Sequence, residues 1–222
     1  IDVFYTNADG YLVTPEKLPY GKGYSLVEVS APYGYVLNDE PVYFDVTEDN
    51  SSEESAVTVV VVERPNMAQK GVINITKTGE VFSTVTESSG VYQPVYEVKG
   101  IAGAVYEITA AEDIITPDGT LRYAKGEVVD TVTTGADGIA ATKELYLGKY
   151  EIREITAPYG MVVNGEVHTA ELTYAGQEVS ITETAASFYN ERQKVKVELS
   201  KTLETDELFG IGANGEITAV SF

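Results

Sequence analysis

The sequence Tyr150-Glu151-Ile152-Arg153-Glu154-Ile155-Thr156-Ala157-Pro158-Tyr159-Gly160 has an earlier counterpart at positions 24 to 34, Tyr-Ser-Leu-Val-Glu-Val-Ser-Ala-Pro-Tyr-Gly. Both copies alternate apolar and polar residues, which is typical of a β-strand, and both end in an Ala-Pro-Tyr-Gly turn. A glutamate, Glu154 or Glu28, shares the parity of the apolar residues, so its side chain is predicted to point into the core. A carboxylate in a core is costly unless it is neutralised or paired. We therefore expect this glutamate to have buried partners.

Composition excludes several classes of protein. The chain of 222 residues has 35 acidic and 15 basic side chains, a formal charge of -20, which argues against nucleic acid and anionic membrane surfaces as partners. It contains no cysteine, so disulfides cannot stabilise it. No apolar run reaches the length of a membrane span, so no membrane insertion is predicted for this segment. The chain opens at Ile1 in folded-looking sequence without a signal peptide, which suggests an excerpt of a longer protein.

Short alternating segments separated by Gly and Asp turns predict an all-β protein built from β-sandwiches, and helical periodicity is weak. The first predicted pair of strands is Val3–Thr6 and Tyr11–Val13, joined by the turn Asn7-Ala8-Asp9-Gly10. Further predicted strands are Val72–Lys77, Val91–Val98, Ala104–Thr109, Val128–Thr133, Leu145–Glu154, Val167–Tyr174 and Glu178–Thr182.

Three residue types recur at nearly one interval, which is the signature of a tandem repeat. Glu28 and Glu154 lie 126 residues apart, whereas the pairs Asn66 and Asn190, and Lys77 and Lys201, each lie 124 residues apart. The repeat therefore runs Lys, Glu, Asn. We predict one complete repeat at residues 67–194, the C-terminal part of a preceding repeat at residues 1–66, and the N-terminal strands of a following repeat at residues 195–222.

Each of the three recurring residues also comes last in a series of alternate apolar residues on the same face of its strand. Lys77 has the parity of Ile73 and Ile75, and Asn190 has the parity of Phe188. In a sandwich the first and last strands can lie side by side. Burial favours the neutral forms of both lysine and glutamate. A neutral lysine amine is a nucleophile, and a protonated glutamate can polarise an amide carbonyl and shuttle protons. The product would be a Lys–Asn amide crosslink with loss of ammonia.

This repeat resembles the Cna B-type (SpaA-like) domain of Gram-positive pilins and cell-wall adhesins. The matching motifs are Ile75-Thr76-Lys77, the segment Ala102–Ile108, Leu147-Gly148-Lys149-Tyr150, the turn Glu154-x-x-Ala157-Pro158-x-Gly160 and the terminal Asn190. The resemblance implies an immunoglobulin-like, prealbumin-like β-sandwich with a spontaneous isopeptide bond.

By position, the resemblance implies a Lys77–Asn190 bond with Glu154 as its catalyst. It assigns Glu28 and Asn66 to a bond whose lysine precedes Ile1. It assigns Lys201 to a bond whose partners lie beyond the last residue of this chain.

Simpler interpretations of the same residues stay open on sequence alone. Lys77 could extend to water along its aliphatic stem, and Glu154 could hydrogen-bond the backbone of its turn. Asn190 and Asn66 could be turn formers. Lys70 and Lys194 are alternative amine donors, although neither continues the apolar parity of its strand.

Two functions compete. The favoured one is a covalently locked stalk or spacer repeat of a cell-surface protein or pilus, extracellular and anchored to the cell wall outside this segment. Its partners would be neighbouring repeats and other pilin subunits. The alternative is an adhesin domain that binds a host protein or glycan, for which the segment Thr78–Val98 is the candidate insertion. Neither function requires a cofactor or metal, and the crosslink would be a single turnover, so the chain is not predicted to be an enzyme.

Overall fold

This computed structural model describes residues 2–47 and 60–200, and the regular secondary structure of these residues is entirely β-strand. No helix long and apolar enough to cross a membrane occurs in those two ranges. The chain divides into two compact units, Ile1–Arg192 and Gln193–Phe222. The strands of the first unit are β1 (Gly21–Leu26), β2 (Tyr35–Val36), β3 (Val42–Val46), β4 (Met67–Ala68), β5 (Lys70–Ser88), β6 (Val91–Gly100), β7 (Val105–Ala110), β8 (Ile114–Ile115), β9 (Leu121–Tyr123), β10 (Val128–Thr133), β11 (Ile139–Ala141), β12 (Leu145–Tyr146), β13 (Gly148–Thr156), β14 (Val167–Leu172) and β15 (Ile181–Asn190).

Two sheets face each other across one core, which confirms the predicted β-sandwich. One sheet has the order β10-β7-β13-β14. The other is organised around β5, which pairs with β6, β11, β12 and β15. Alternate residues of the strands are buried, as the period of two predicts. The fully or almost fully buried apolar side chains include Ile73, Ile75, Tyr106, Ile108, Leu145, Tyr150, Ile152, Leu172 and Phe188.

The first and last long strands of the sandwich are neighbours, as predicted. β5 and β15 pair in parallel, from Lys70 opposite Ile181 to Gly79 opposite Asn190. Two strands that are distant in sequence are thus held in one register. Lys77 lies opposite Phe188 in this register, and both side chains are buried at the same end of the core.

The segment predicted as one strand from Leu145 to Glu154 is two strands, so that prediction was wrong in part. β12 pairs with β5 in one sheet, whereas β13 pairs with β7 and β14 in the other. The chain changes sheets at Gly148, whose φ of 145° is rarely adopted by residues with a side chain. A Cβ at this position would lie 2.4 Å from the Cδ1 atom of Ile114. Glycine therefore allows the crossing that aims β13 at the core.

The N-terminal part of the first unit is a smaller arrangement of paired strands. β1 pairs with β3, and β2 pairs with β4. The predicted strands at Val3–Thr6 and Tyr11–Val13 do not form. The turn between them does, because the side-chain carbonyl of Asn7 accepts hydrogen bonds from the backbone amides of Asp9 and Tyr11. A short strand needs a hydrogen-bonded neighbour, and no strand among the described residues pairs with these two segments.

Only residues 193–200 of the second unit are described, and they contain no strand. Val195, Val197 and Leu199, which share the apolar parity predicted for a following repeat, have exposed side chains. Lys201 lies outside the described residues. The division into residues 1–66, 67–194 and 195–222 stays a prediction.

Candidate functional site

The fold brings Lys77, Glu154 and Asn190 together at one end of the sandwich core. Their residue exposures are 0%, 3% and 1%. The Lys77 ammonium lies 3.1 Å from Glu154 Oε1 and donates a hydrogen bond to Asn190 Oδ1. The side-chain amide of Asn190 in turn donates to Glu154 Oε1 over 2.9 Å. Three residues from β5, β13 and β15 thus form a closed ring of contacts that joins the two sheets.

Parity explains why each of the three side chains is buried. Lys77 follows Ile73 and Ile75 on the inner face of β5, and Glu154 ends the buried face of β13. The backbone of Lys77 is held on both sides, because its amide donates to Gly138 O over 2.7 Å and its carbonyl accepts from the Ile101 amide over 3.1 Å. The backbone of β5 at Lys77 is therefore held in position by Gly138 on one side and Ile101 on the other.

We expect Gly138→Ala to destabilise the protein by more than the usual cost of an alanine at positive φ. Gly138 has φ 79°, and a Cβ there would lie 2.3 Å from Lys77 O and 2.6 Å from the Cα atom of Gly100. The atoms that the Cβ would meet belong to the backbone and cannot move aside without displacing their strands. We therefore expect a loss of about 2–4 kcal/mol in the free energy of unfolding, measured by urea denaturation.

The matched control is Gly126→Ala. Gly126 has φ 82° but no atom within 4 Å of the added Cβ. This variant carries the conformational cost alone, about 1 kcal/mol. Equal losses for the two variants would contradict the claim that Gly138 is required for close approach to Lys77.

Glu154 uses its second oxygen to hold the turn that follows it. Its Oε2 atom accepts a hydrogen bond from the backbone amide of Asn164 over 2.6 Å. The interpretation that this glutamate hydrogen-bonds turn backbone therefore holds together with its contacts to Lys77 and Asn190. Sequence reasoning missed Asn164. The signal was present, because Asn38 also lies ten residues after its glutamate, and the Asn38 amide donates to Glu28 Oε2 over 2.9 Å.

Aromatic rings close the site on its inner side. The Lys77 ammonium lies 5.9 Å from the ring centroid of Tyr106 and 6.0 Å from that of Phe188, and these two rings are themselves 4.6 Å apart. The Tyr106 hydroxyl is buried without a hydrogen-bond partner, and burial raises its pKa. This wall excludes water from the ring of contacts. Tyr106 was not singled out from the sequence, in which it is one of 16 tyrosines.

Burial lowers the pKa of Lys77 below its usual value of 10.5, while the hydrogen bond and the charge of Glu154 oppose this shift. Removal from water is the larger influence, because the ammonium has no exposed surface. The environment therefore favours the neutral, nucleophilic amine more than water does. The same environment places that amine beside an amide carbonyl and places a carboxyl group beside the amide nitrogen.

The alternative assignments fare differently. Lys77 does not extend to solvent, because its side chain is fully buried. The Lys70 ammonium lies 3.9 Å from Glu144 and 5.3 Å from the ring centroid of Tyr146, away from Asn190. Lys194 is exposed. Of these three lysines, Lys77 is the one that contacts Asn190.

A second, smaller arrangement contains Glu28 and Asn66. The Asn66 side-chain amide donates to Glu28 Oε2 over 2.7 Å and to Val36 O over 3.1 Å. Both side chains are half-buried rather than buried. The structure therefore brings Asn66 into contact with Glu28 as it brings Asn190 into contact with Glu154. Lys201, the third predicted equivalent, lies outside the described residues.

Metal ligands do not cluster in the described ranges 2–47 and 60–200, which contain no group of three or more His, Asp or Glu side chains placed to hold an ion. His168, the single histidine, stacks against Phe188 with ring centroids 4.2 Å apart and lies 3.5 Å from Glu166. It packs behind the aromatic wall and does not reach the three polar side chains.

A family model described as SpaA, prealbumin-like fold domain, matches residues 1–59 and 95–187, more than half of the chain. The matched residues include Glu28 and Glu154 but not Lys77 or Asn190. A comparison with curated proteins found no match.

Solved structures with a similar fold come from several Gram-positive bacteria. The Bacillus anthracis TIE protein is 24% identical with a TM-score of 0.50, and the match covers 84% of this chain and 28% of that protein. GBS52, the minor pilin of Streptococcus agalactiae, is 13% identical with a TM-score of 0.38, covering 60% of this chain and 49% of the pilin. The major pilin SpaD of Corynebacterium diphtheriae is 19% identical with a TM-score of 0.37, covering 56% and 32%. The chain thus spans less than half of each of these proteins.

Proposed function

Because this chain belongs to the SpaA family of prealbumin-like fold domains, we propose that it is a stalk segment of a Gram-positive cell-surface protein or pilus. Its complete repeat would be locked by an isopeptide bond between Lys77 and Asn190. The observation that carries this proposal is the buried ring of contacts among Lys77, Glu154 and Asn190. The protein would be extracellular and anchored to the cell wall outside this segment. Its partners would be neighbouring repeats and other pilin subunits.

The first step of the reaction is a proton transfer. Lys77 and Glu154 are in contact at 3.1 Å, so one proton can pass from the ammonium to Glu154 Oε1 without a bridging water. The resulting neutral amine then attacks the side-chain carbonyl carbon of Asn190, whose oxygen is already within hydrogen-bonding reach of the amine. Proximity is supplied by the fold, because the parallel pairing of β5 and β15 fixes both reactants.

The second step releases ammonia. The Asn190 nitrogen lies 2.9 Å from Glu154 Oε1, so the carboxyl group that took the lysine proton is placed to return a proton to the leaving nitrogen. The bond from the Asn190 carbonyl carbon to Nδ2 breaks, and the bond to the Lys77 nitrogen remains. Of the three protons on the Lys77 ammonium, one stays on the new amide and two leave with the nitrogen of Asn190 as ammonium. Glu154 ends as the carboxylate, and the reaction occurs once per chain.

The position of this bond fits a role in carrying tension. β5 begins the sandwich and β15 ends it, and the two strands run parallel. A pull on the two ends of the repeat would enter before Lys70 and leave after Asn190. With the bond formed, the load passes from β5 directly into the end of β15 and bypasses the 113 positions that separate Lys77 from Asn190.

The same proposal accounts for the partial repeats. Residues 1–66 would be the end of a preceding repeat, in which Glu28 and Asn66 serve a lysine earlier in the protein. The 2.7 Å contact between Glu28 and Asn66 supports this assignment. Residues 195–222 would begin a following repeat, in which Lys201 is the crosslinking lysine.

Intact mass under denaturing conditions tests the crosslink. We expect each chain to be lighter than its sequence by one ammonia. A mass equal to that of the unmodified sequence would exclude the bond.

A second candidate function, the binding of a host protein or glycan, is favoured by one structural feature. The segment Thr78–Val98, which was predicted as the candidate insertion, is a long hairpin formed by the outer part of β5 and by β6. Its tip turns at Ser89 and Gly90, both with positive φ, as tight hairpin turns require. The large apolar side chains that are exposed on the hairpin are Val81, Phe82, Val85, Val91, Tyr92, Val95 and Val98.

Binding to host matrix proteins and to a glycan array would discriminate between the two functions. If the hairpin binds a ligand, replacing Phe82 and Tyr92 with serine should abolish binding, whereas the same change at exposed Tyr159 should not. If the chain is a stalk segment, the unaltered protein should show no specific binding in either assay.

A further inference from the structure

The Ala-Pro-Tyr-Gly turn of the first partial repeat contacts a loop of the complete repeat. The Ala31 amide donates to Gln177 Oε1 over 2.9 Å, and the Leu37 amide donates to Gln177 O over 2.9 Å. The ring of Tyr33 lies against that of Tyr174, with centroids 4.6 Å apart. Both elements belong to the same compact unit. The turn Ala31–Gly34 thus forms, together with Leu37, a polar and aromatic contact surface for the loop 174–179. We call this surface the seat.

Gln69 clamps these two elements together. It is 1% exposed, although it lies in the one-residue gap between β4, which pairs with β2, and β5, which begins the sandwich. Its side-chain amide donates to Gly176 O over 2.9 Å and to Val179 O, and its side-chain carbonyl accepts from the Ala175 amide over 2.9 Å. Its backbone amide donates to Gly34 O over 2.8 Å. A buried side-chain amide that uses its nitrogen twice as donor and its oxygen as acceptor favours one geometry, because any displacement leaves polar groups unpaired in the interior.

The seat recurs at the other end of the complete repeat. The turn Ala157–Gly160 is the second copy of the same sequence. The β-bridge between Met161 and Arg192 repeats the pairing of Tyr35 with Ala68 that precedes the first clamp. The chain also repeats the clamp residue, because Gln193 follows Gln69 by 124 residues.

The two copies of the turn differ in what covers them. One face of the Tyr33 ring contacts Tyr174 although the residue is still 74% exposed, and Gly34 beside it is buried. The counterparts Tyr159 and Gly160 are exposed, and Tyr159 has no such contact within the part of the chain that the structure describes. A large aromatic side chain held by a well-formed turn and left in water is typical of an interaction surface. The loop 174–179, which contacts the first copy of the turn, therefore indicates what kind of segment would fit against the second copy.

We infer that the Ala-Pro-Tyr-Gly turn is a docking seat between consecutive repeats, and that the seat at Ala157–Gly160 takes the loop of a complete following repeat equivalent to residues 174–179. The turn then has two functions, since it ends the glutamate strand and also fixes the orientation of the next repeat. The inference rests on the repeat organisation proposed above but not on the crosslink. The two can therefore fail independently.

Distance measurements between paired spin labels test the seat in the full chain. The protein has no cysteine, so cysteines introduced at exposed Ser25 and Thr133 would place one label on the partial repeat and one on the complete repeat. We expect a narrow distance distribution in the otherwise unaltered protein. Gln69→Ala should widen it roughly twofold or more, because domains without a strong interface move relative to each other. Tyr33→Ala, at a largely exposed position that contributes little to the core, should widen it as well.

Three controls make the result specific. Gln93→Ala alters an exposed glutamine on the hairpin, and Tyr159→Ala alters the uncovered copy of the turn; both should leave the distribution unchanged. A label pair within the complete repeat, at Thr133 and Glu151, should be unaffected by Gln69→Ala, which separates loss of the seat from unfolding. An unchanged distribution in both Gln69→Ala and Tyr33→Ala would overturn the inference, whatever the intact mass shows about the crosslink.

A longer chain tests the uncovered seat. When a complete repeat follows residue 192, Tyr159→Ala should widen the distances between that repeat and the preceding one, as Tyr33→Ala does at the first seat. No widening in the longer chain would restrict the seat to the first junction and overturn its assignment at Ala157–Gly160.

Discussion

Glu154→Ala is expected to abolish the mass deficit of one ammonia while Lys77 and Asn190 remain in the chain. Glu154 is the proton acceptor for the amine and the proton donor for the leaving nitrogen, and its Oε1 atom contacts both groups. Without it burial still favours the neutral amine, but no other carboxyl group among the described residues contacts the Asn190 nitrogen to protonate it as it leaves, so the amide bond of Asn190 cannot be broken. We expect the crosslinked fraction to fall from nearly complete to below detection, measured by intact mass of the denatured protein.

The same substitution also leaves a lysine buried without its counter-charge, at a cost of about 3–5 kcal/mol. Glu154→Gln is therefore needed as a second variant, because it preserves the volume of the side chain and can still accept the hydrogen bond from the Asn164 amide. It should be folded by near-ultraviolet circular dichroism and still lack the crosslink. Glu151→Ala, an exposed position on the opposite face of β13, and Glu28→Ala should both retain the deficit. A crosslinked Glu154→Gln protein would contradict the role assigned to the carboxyl group.

Pulling on the two ends of the complete repeat should extend the uncrosslinked variant by roughly 400 Å more than the unaltered protein. This length follows from the 113 positions between Lys77 and Asn190, at 3.3–3.6 Å per extended residue. In the unaltered protein the covalent bond bypasses this segment. Single-molecule force spectroscopy should therefore show a large unfolding step in Glu154→Gln and no step of that size in the parent.

The geometry of the strands determines how the uncrosslinked variant should fail. β5 and β15 run parallel and would be pulled in opposite directions, so their hydrogen bonds are loaded together in shear. The unfolding step should for that reason occur at high force and in a single event. Glu151→Ala serves again as the matched control and should behave as the parent does. A step of roughly 400 Å in the parent protein would contradict the proposed Lys77–Asn190 bond and the load path through it.

The sequence predicted the inner faces of the strands correctly at the site. Lys77, Glu154 and Asn190 each continue a run of buried apolar residues with a period of two, and each is buried in the structure. The recurrence of these residue types at 124–126 positions separated them from ordinary surface lysines and turn asparagines. Parity and recurrence are local or one-dimensional properties, which is why they can be obtained from sequence alone.

Other features depended on contacts that no local pattern encodes. The change of sheets at Gly148 was read as a continuous strand, because the alternation runs through it without interruption. The strands predicted near Asn7 do not form, since a strand with suitable residues still needs a neighbour. Gln69 and Asn164 were overlooked, although each has a counterpart one repeat away in Gln193 and Asn38.

An all-β chain with an inward-facing lysine, glutamate and asparagine could thus be predicted from the order of residues alone, because the period of the strand dictates which side chains share a face. That the three side chains meet within hydrogen-bonding distance could not be predicted in this way. That outcome depends on the parallel register of β5 and β15 and on the crossing of β13 into the opposite sheet. The structure also shows that the Tyr33 ring of the turn after Glu28 contacts Tyr174, while the turn after Glu154 leaves Tyr159 in solvent. Identical turns differ in this way because contacts depend on which other parts of the chain pack against a residue.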